Sequence, residues 1–558
     1  MPLSAKFSVS NLETAHLAHP QTLTNASYWR ASEQSPAFSA AAIANVLQAP
    51  RGTMYVLENA SDGGIGVGVG GTVRYSEAQS TDEWPLLGVL PPLYPEWLGD
   101  RSFNEVHGTR FPYVAGAMAN GIASTRMVIA LAHSGCLAFF GAAGLSLGRV
   151  ETAIDELQAA LDPHGLPWGV NLIHSPAEPE NEAAVADLLL RKDVRCVEAS
   201  AYLALTPAVV RYACSGLKRA ANGVIERRNR VFAKVSRAEV ARQFLQPPPA
   251  AILRGLLDAG LLSEEEVALA GLLPLAEDIT AESDSGGHTD NRPLGALLPS
   301  LARLRDQICR ERGYPRPIRL GAAGGLGTPA AVAAAFALGA AYVQTGSVNQ
   351  ACIESGLDDG ARLMLAQAQM SDVIMAPAAD MFEMGVKVQV LRHGTLFAPR
   401  ALKLYELYRS YAALDAIPES ERKKIEQNVL RASFSDAWAA TRSFWLTRDP
   451  AQIARAEQDP KHLMALVFRS YLGLSSRWAI DGVASRSSDF QIWCGPAMGA
   501  FNSWVQLSFL EQPAQRTVVQ VALNLLEGAA CITRAQQLRS FGAPVPASAF
   551  DYRPRVLA

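Results

Sequence analysis

Between residues 113 and 349 the chain repeats one pattern: a short apolar run that ends in small or polar residues and gives way to a segment with helical spacing. The runs are YVAGAMA from 113, LAFFGAA from 137, WGVNLIH from 168, CVEASAY from 196, RVFAKV from 230, LLPLAEDITAESD from 272, IRLGAAGG from 318 and YVQTGSV from 342. Continuous apolarity without strict alternation is what parallel strands covered on both faces require. Eight strand-helix units in succession predict an α/β fold, a closed TIM (β/α)8 barrel. An open doubly wound sheet is the alternative.

The flanks differ from this block. The first hundred residues are mixed in character and close on PPLYPEW at 91–97, whose prolines disfavour helix and central strand alike. Residues 1–100 are therefore set apart as an N-terminal segment of unknown role, and the barrel is expected over 101–400. Between the fifth and sixth runs lies QPPPAAILRGLLDAGLLSEEEVALAGLLP, a Pro-marked entry followed by helical patterning, which predicts a helical insertion at about 242–275. Residues 401–558 turn mostly helical, with Leu404, Leu407, Tyr408 and Tyr411 at helical spacing. ESERKKIE at 419–426 mixes signs and reads as a solvated helix face.

Composition narrows the partners. A chain of 558 residues with 49% hydrophobic content can bury a large core, and a net charge of -3 gives no basic face for nucleic acid or anionic membrane. Small molecules and proteins are the expected partners, and a homodimer is left open. The seven cysteines form no C-x-x-C pair and no metal-ligand spacing, which suits a reducing compartment and predicts no metal. The N-terminus MPLSAKFSVSNLETAH has no apolar signal core, and the apolar run from 330 is too short to span a bilayer. A cytoplasmic location is expected.

Three segments carry candidate chemistry. GAAGGLGTPAAVAAAF, from Gly321, follows a strand and opens a helix; Gly324, Gly325 and Gly327 admit close approach, and Thr328 with Pro329 suit a helix start, a ready anion site. The next strand ends in QTGSVN, where Gly346 and Ser347 add donors, and the turns after the last two barrel strands commonly hold a phosphate. Two tight turns without a ligand are the bland reading. The second segment, ESDSGGHTDNRP at 282–293, would lie at the C-terminal mouth of the sixth strand, where barrel active sites are built. It brings Glu282, Asp284, Gly286, Gly287 and His288 there; glycines and acids beside His288 suit a tuned titratable group rather than a merely structural ring. Third, Lys234 and Asn171 are polar residues at strand ends, Lys234 needing an anionic partner, either a carboxylate or a bound cofactor.

Two pattern matches compete with this site. GVGVGG at 66–71 satisfies G-x-G-x-x-G, but TVRYSE follows it as strand, so the helix that would hold a pyrophosphate is missing. GLSLG at 144–148 matches the nucleophile elbow between a strand and a helix, which would make Ser146 the nucleophile of an acyl hydrolase or acyltransferase. Against it, the second strand of a barrel needs the same Gly-rich turn, and no segment supplies an evident oxyanion loop or downstream acid and His.

Several of these motifs together resemble a known family. AGAMANGIAS (115–124), GVNLIHSP, VFAKVSR, EDITAESDSGGHTDNRPL, GAAGGLGTPAAV with FALGAAYVQTGSVNQ, and APAADMFEMGVKVQVLRHGT (376–395) are similar to the PfaD family of trans-acting enoyl reductases of polyketide and polyunsaturated fatty acid synthases, relatives of nitronate monooxygenases. The likeness runs from about 85 to 510. It implies FMN at the barrel mouth, its phosphate held at Gly324, Gly325, Gly346 and Ser347, Ala117 and Met118 backing the ring, and Asn171 and Lys234 binding it. Gly286 and Gly287 would fold the loop over the flavin, and His288 would face the reacting centre. NADPH or NADH would supply hydride, and an acyl carrier protein would deliver an enoyl thioester. A nitronate monooxygenase-like oxidase is the nearest alternative.

Overall fold

The computed structural model describes residues 26–76, 79–176 and 178–558; the MPLSAKFSVSNLETAH stretch lies outside the described residues. All eight runs are strands: Tyr113–Ala115, Leu137–Phe140, Gly169–Ile173, Cys196–Ser200, Arg230–Val235, Asp278–Glu282, Arg319–Ala323 and Val343–Thr345. They pair in parallel and close into a barrel, the eighth meeting the first at Val343 and Tyr113. The doubly wound alternative is excluded by that closure.

The period-two geometry of strands divides the barrel interior into layers. Low in the barrel, Phe139, Phe232 and Tyr342 pack with Phe103 into a buried aromatic plug. Two residues further up the same inward faces the side chains turn polar: Lys234 follows Phe232, Gln344 follows Tyr342, and Glu198 follows Cys196. An apolar plug below and polar groups above is how the sequence makes a mouth that can do chemistry. At the lower end Asp278 takes Arg319 Nε at 2.6 Å and His107 Nε2 at 3.0 Å. Burial raises the Asp278 pKa, but His107 and Arg319 more than offset this and hold it at about 2. That contribution to stability is present above the unfolded-state value near 3.8 and is lost as the pH falls towards 2.

The expected insertion is formed by the helices Ala250–Asp258 and Glu264–Ala270, after the helix Ala238–Leu245. Beyond the eighth strand the chain makes a hairpin, Val373–Pro377 with Lys387–Leu391. It then forms the helices Phe397–Ser410, Phe434–Arg448, Pro450–Gln458 and Pro460–Asp481; the first, second and fourth share a core around Phe397, Leu404, Phe434 and Phe468, while Ile453 and Ala456 of the third pack with Trp445 and Leu466. Tyr411 falls just past the first of these helices, its backbone already extended. The helix Val518–Ser540 is long and apolar enough by composition to cross a membrane, yet Val518, Val521, Leu525 and Ala529 are buried with the barrel core.

A separate compact unit comprises the described residues from 26 to Pro92 together with Gln536–Pro546. It holds a five-stranded antiparallel sheet. GVGVGG is the end of the strand Ile65–Val69 and a turn at Gly70 and Gly71 that leads into the strand Thr72–Ser76; Trp29 Nε1 donates to Gly70 O at 2.9 Å. No helix follows, so the dinucleotide reading of this motif is structural only.

Candidate active site

One cavity of about 880 Å³ opens at the C-terminal mouth of the barrel. It brings together Ala117, Met118, Asn171, Lys234, Gly286, Gly287, His288, Gly324, Gly325, Gly346 and Ser347, contributed by the ends of the first, third, fifth, sixth, seventh and eighth strands. On its outer side Phe444, Trp445, Leu466 and Leu472 from the C-terminal helices continue the wall.

The floor is a charged cluster. Lys234 Nζ lies 3.3 Å from Glu282 Oε1, so the carboxylate partner is one the protein itself supplies. Burial lowers the Lys234 pKa, but Glu282 and then Glu198 outweigh it and hold the ammonium above its usual range. Glu198 is fully buried; its Oε2 accepts Ala117 N–H at 3.0 Å and its Oε1 accepts Gln344 Nε2 at 2.5 Å. Burial, with Glu282 as a like charge, raises its pKa against the opposing pull of Lys234 and its two donors. Asn171 spends its amide donor on Glu198 O (3.0 Å) and Ser200 Oγ (2.9 Å), which leaves its oxygen as the free end.

The paired turns at the mouth follow the seventh and eighth strands. Gly324 has φ +86°, and a Cβ there would meet Ser283 Oγ at 2.5 Å, so only glycine fits. Gly325, at φ +71°, and Gly346 would instead project a Cβ into open space, with nothing within 4 Å. Thr328 caps the helix Pro329–Ala337 by accepting Ala331 N–H at 3.3 Å. Ser347 Oγ accepts Gly495 N–H at 3.1 Å and keeps its own hydrogen to donate.

The segment 282–293 is folded down on both sides. Gly287 and His288 pair with Gln389 and Val388 as a third strand on the hairpin. Asp284 Oδ1 accepts from Asn291 Nδ2 at 2.9 Å and Gln389 Nε2 at 2.7 Å, and Arg237 grips Asp290 with two bonds of 2.6 and 2.7 Å. Gly286 and Gly495 meet backbone to backbone, a Cβ on either lying 2.8 Å from the other segment. This positions His288, whose enclosed Nε2 stands 3.4 Å from Asp380 Oδ2 and makes no hydrogen bond of good geometry among the described residues. Burial lowers the imidazole pKa, but Asp380, aided by Glu282, more than offsets it and raises it above the ordinary value.

Ser146 lies outside this cavity. It is an exposed helix N-cap with φ -71° and ψ 151°, a relaxed extended conformation instead of the strained elbow a nucleophile occupies. Glu198, Gln344, Asp380 and the pair His174 and Glu182 are site residues that sequence reasoning misses. Glu198 and Gln344 carry a signal, a polar residue inside an otherwise apolar strand; Asp380 carries none.

Residues 101–437 match the family model described as nitronate monooxygenase. The chain belongs to the nitronate monooxygenase family. Residues 411–490 also match the inserted helical domain of [acyl-carrier-protein] S-malonyltransferase. Among solved structures, the enoyl reductase domain of MlnA from the macrolactin biosynthesis cluster of Bacillus amyloliquefaciens superposes with a TM-score of 0.76 at 36% identity, covering 80% of this chain and 99% of that domain. A polyunsaturated fatty acid synthase polypeptide of Thraustochytrium sp. is 48% identical over 450 residues, and polyketide biosynthesis protein PksE of Bacillus subtilis 43% over 431. They align with 79% and 77% of this chain, which in turn spans 30% and 56% of their lengths. The MlnA domain is an enoyl reductase by description, which agrees with the resemblance of this chain's motifs to the PfaD-like enoyl reductases.

Proposed function

We propose that the protein is an FMN-dependent enoyl reductase that acts in trans on α,β-unsaturated thioesters borne by the carrier proteins of a polyketide or polyunsaturated fatty acid synthase, with NAD(P)H as reductant. The observation that carries this reading is the single cavity in which two open glycine turns, a lysine between two carboxylates and a histidine-carboxylate pair converge. The match of residues 411–490 to a domain of an acyl-carrier-protein enzyme supports a carrier-bound substrate. The apolar wall from Phe444 to Leu472 supports an acyl chain leaving the mouth on that side.

The residues present fit FMN. The Cβ-sized space beside Gly325 and Gly346 is a cradle that a phosphate would fill, with the Ser347 hydroxyl next to it in the chain. Lys234 offers a fixed positive charge, and Ala117 with Met118 would back the ring. Bound there, FMN supplies the transfer of hydride from NAD(P)H to the β-carbon of the enoyl thioester. The protein's part is orientation and charge. Lys234 stabilises negative charge above the floor, and the hairpin-anchored loop carries His288 to the thioester, where its ring binds the carbonyl oxygen or gives a proton.

The test is anaerobic. Purified protein with flavin absorbance should oxidise NAD(P)H only when an enoyl thioester is supplied, and yield the saturated thioester. Oxygen-dependent turnover of a nitronate with no thioester reduction would make it a monooxygenase instead; absence of flavin would overturn both.

A further inference from the structure

A second histidine-carboxylate pair lines the cavity, after the third strand, whereas the loop that carries His288 follows the sixth. His174 lies one residue past the third strand, and its N–H donates to Ser200 O at 3.0 Å, which extends the ladder towards the fourth strand and fixes the backbone. The ring stacks on Tyr202, with centroids 5.1 Å apart and planes 27° apart. Nδ1 is 3.3 Å from Glu182 Oε2, on the helix Pro179–Arg191.

Glu182 is buried and held from several sides: Oε2 also accepts Ser175 N–H at 3.1 Å, while Oε1 accepts Tyr202 OH at 3.0 Å and the Thr206 hydroxyl. Burial opposes its ionisation, yet these donors, His174 first, hold its pKa below the usual carboxylate range. A carboxylate that can only accept selects the Nδ1–H form of the imidazole. Nε2 is then left for the cavity, and no described residue bonds it. A purely structural histidine would be expected to use both nitrogens; this one is braced through one and leaves the other to the site.

We infer that His174 is the proton donor to the α-carbon of the enoyl thioester and that Glu182 is its positioning residue. This rests on the enoyl-reductase reading. When hydride adds to the β-carbon, the alkene π pair moves onto the α-carbon and carbonyl oxygen. Nε2, having taken a proton from solvent before the step, gives it up: that N–H bond breaks, its electron pair stays on nitrogen, and the proton forms the new bond at the α-carbon. Water at the open mouth returns a proton to Nε2, so hydride and proton together complete the reduction. The two histidines sit after the third and sixth strands, separated by two staves of the barrel. One ring can therefore hold the carbonyl oxygen while the other faces the α-carbon, which assigns oxygen binding to His288.

The experiment uses the full-length holoprotein, NAD(P)H and the pantetheine thioester of trans-2-methylbut-2-enoic acid, whose product is chiral at the α-carbon. The wild-type protein should give one α-configuration. His174→Ala, and His174→Gln as a variant that retains polar bulk but no transferable proton, should keep their FMN and its bleaching by NAD(P)H. Recovery of the flavin absorbance by the thioester should slow about 100-fold, and the product should be a mixture at the α-carbon. Histidine-selective 15N NMR adds a readout independent of turnover: the Nδ1–H form of His174 should be present in the wild type and lost in Glu182→Gln. An unchanged recovery rate with a single α-configuration in both His174 variants would overturn the assignment, as would a mixture produced by His288→Ala alone. If the wild type reduces no enoyl thioester, the enoyl-reductase reading falls and this role with it, whereas failure of the His174 variants alone leaves that reading standing.

Discussion

Glu198 and Ala117 are joined by a hydrogen bond of 3.0 Å, from the Ala117 N–H to a carboxylate with no exposure to solvent. It ties the loop after the first strand to the floor built by the fourth. The same carboxyl group takes Gln344 from the eighth strand and faces Lys234 from the fifth. One buried acid thus holds several staves of the mouth in register.

Removing that group should be felt both in stability and at the site. In Glu198→Ala, the Ala117 N–H and the Gln344 amide lose their acceptor, at a cost of about 1–3 kcal/mol for a buried donor left unpaired. Glu198→Gln keeps the shape, and a flip of Gln344 can restore one bond. Thermal unfolding should therefore rank wild type above Glu198→Gln and Glu198→Ala last, with bound FMN lost in the same order. Equal melting temperatures for all three would show that the tie contributes nothing.

The glycine turn makes a sharper demand. Gly325 has open space where a side chain would project, but its φ of +71° is one that a β-branched residue adopts only with strain. Gly325→Val should fill the cradle and leave the protein without FMN, while circular dichroism still reports a folded barrel. Stoichiometric flavin in the folded variant would remove the phosphate assignment.

What the sequence discloses follows from what each feature depends on. The strands are legible because a parallel strand buried on both faces must be apolar throughout, a local property; all eight runs are strands. The paired turns are legible because glycine at a strand end has few other uses. Glu198 and Gln344 are harder: each is a polar residue in an apolar run, and its meaning depends on which residues face inward and at what height, which the register alone decides. Asp380 cannot be found from sequence, because its role exists only once the segment 282–293 pairs with the hairpin, a contact between parts distant in the chain. For Lys234 the sequence allows two partners, and the structure provides one, Glu282, without excluding a ligand beside it.

Ser146 supplies a negative control. It caps the helix Leu147–Leu161 without a side-chain hydrogen bond, so Ser146→Ala should cost less than the roughly 0.5–2 kcal/mol usual for a lost cap. Enoyl reduction should continue at near wild-type rate. Mass spectrometry after incubation with acyl thioesters should find no adduct on this residue; a stable acyl-Ser146 species would require a second activity.

His288 gives the last prediction and the only one with a pH signature. Asp380 and Glu282 raise its pKa against burial and against Lys234, so the protonated ring persists above the usual imidazole value near 6.5. The sign follows directly: the pair stabilises the fold fully below the unfolded-state value, and that contribution is lost as the pH rises through the folded-state pKa. If the protonated ring binds the thioester oxygen, the thioester-driven step should decline over the same rise, and Asp380→Asn should move the decline to lower pH. If the glycine turns after the seventh and eighth strands hold the phosphate, His288→Ala should retain FMN, and NAD(P)H should still bleach the flavin. Reoxidation by the enoyl thioester should slow about 100-fold or more, the scale for losing a general acid or an oxyanion donor. Stopped-flow measurement of the two half-reactions separates the outcomes: equal slowing of both would make His288 a flavin-positioning residue, and slowing of neither would leave it structural, with the hairpin-anchored loop serving only to close the mouth.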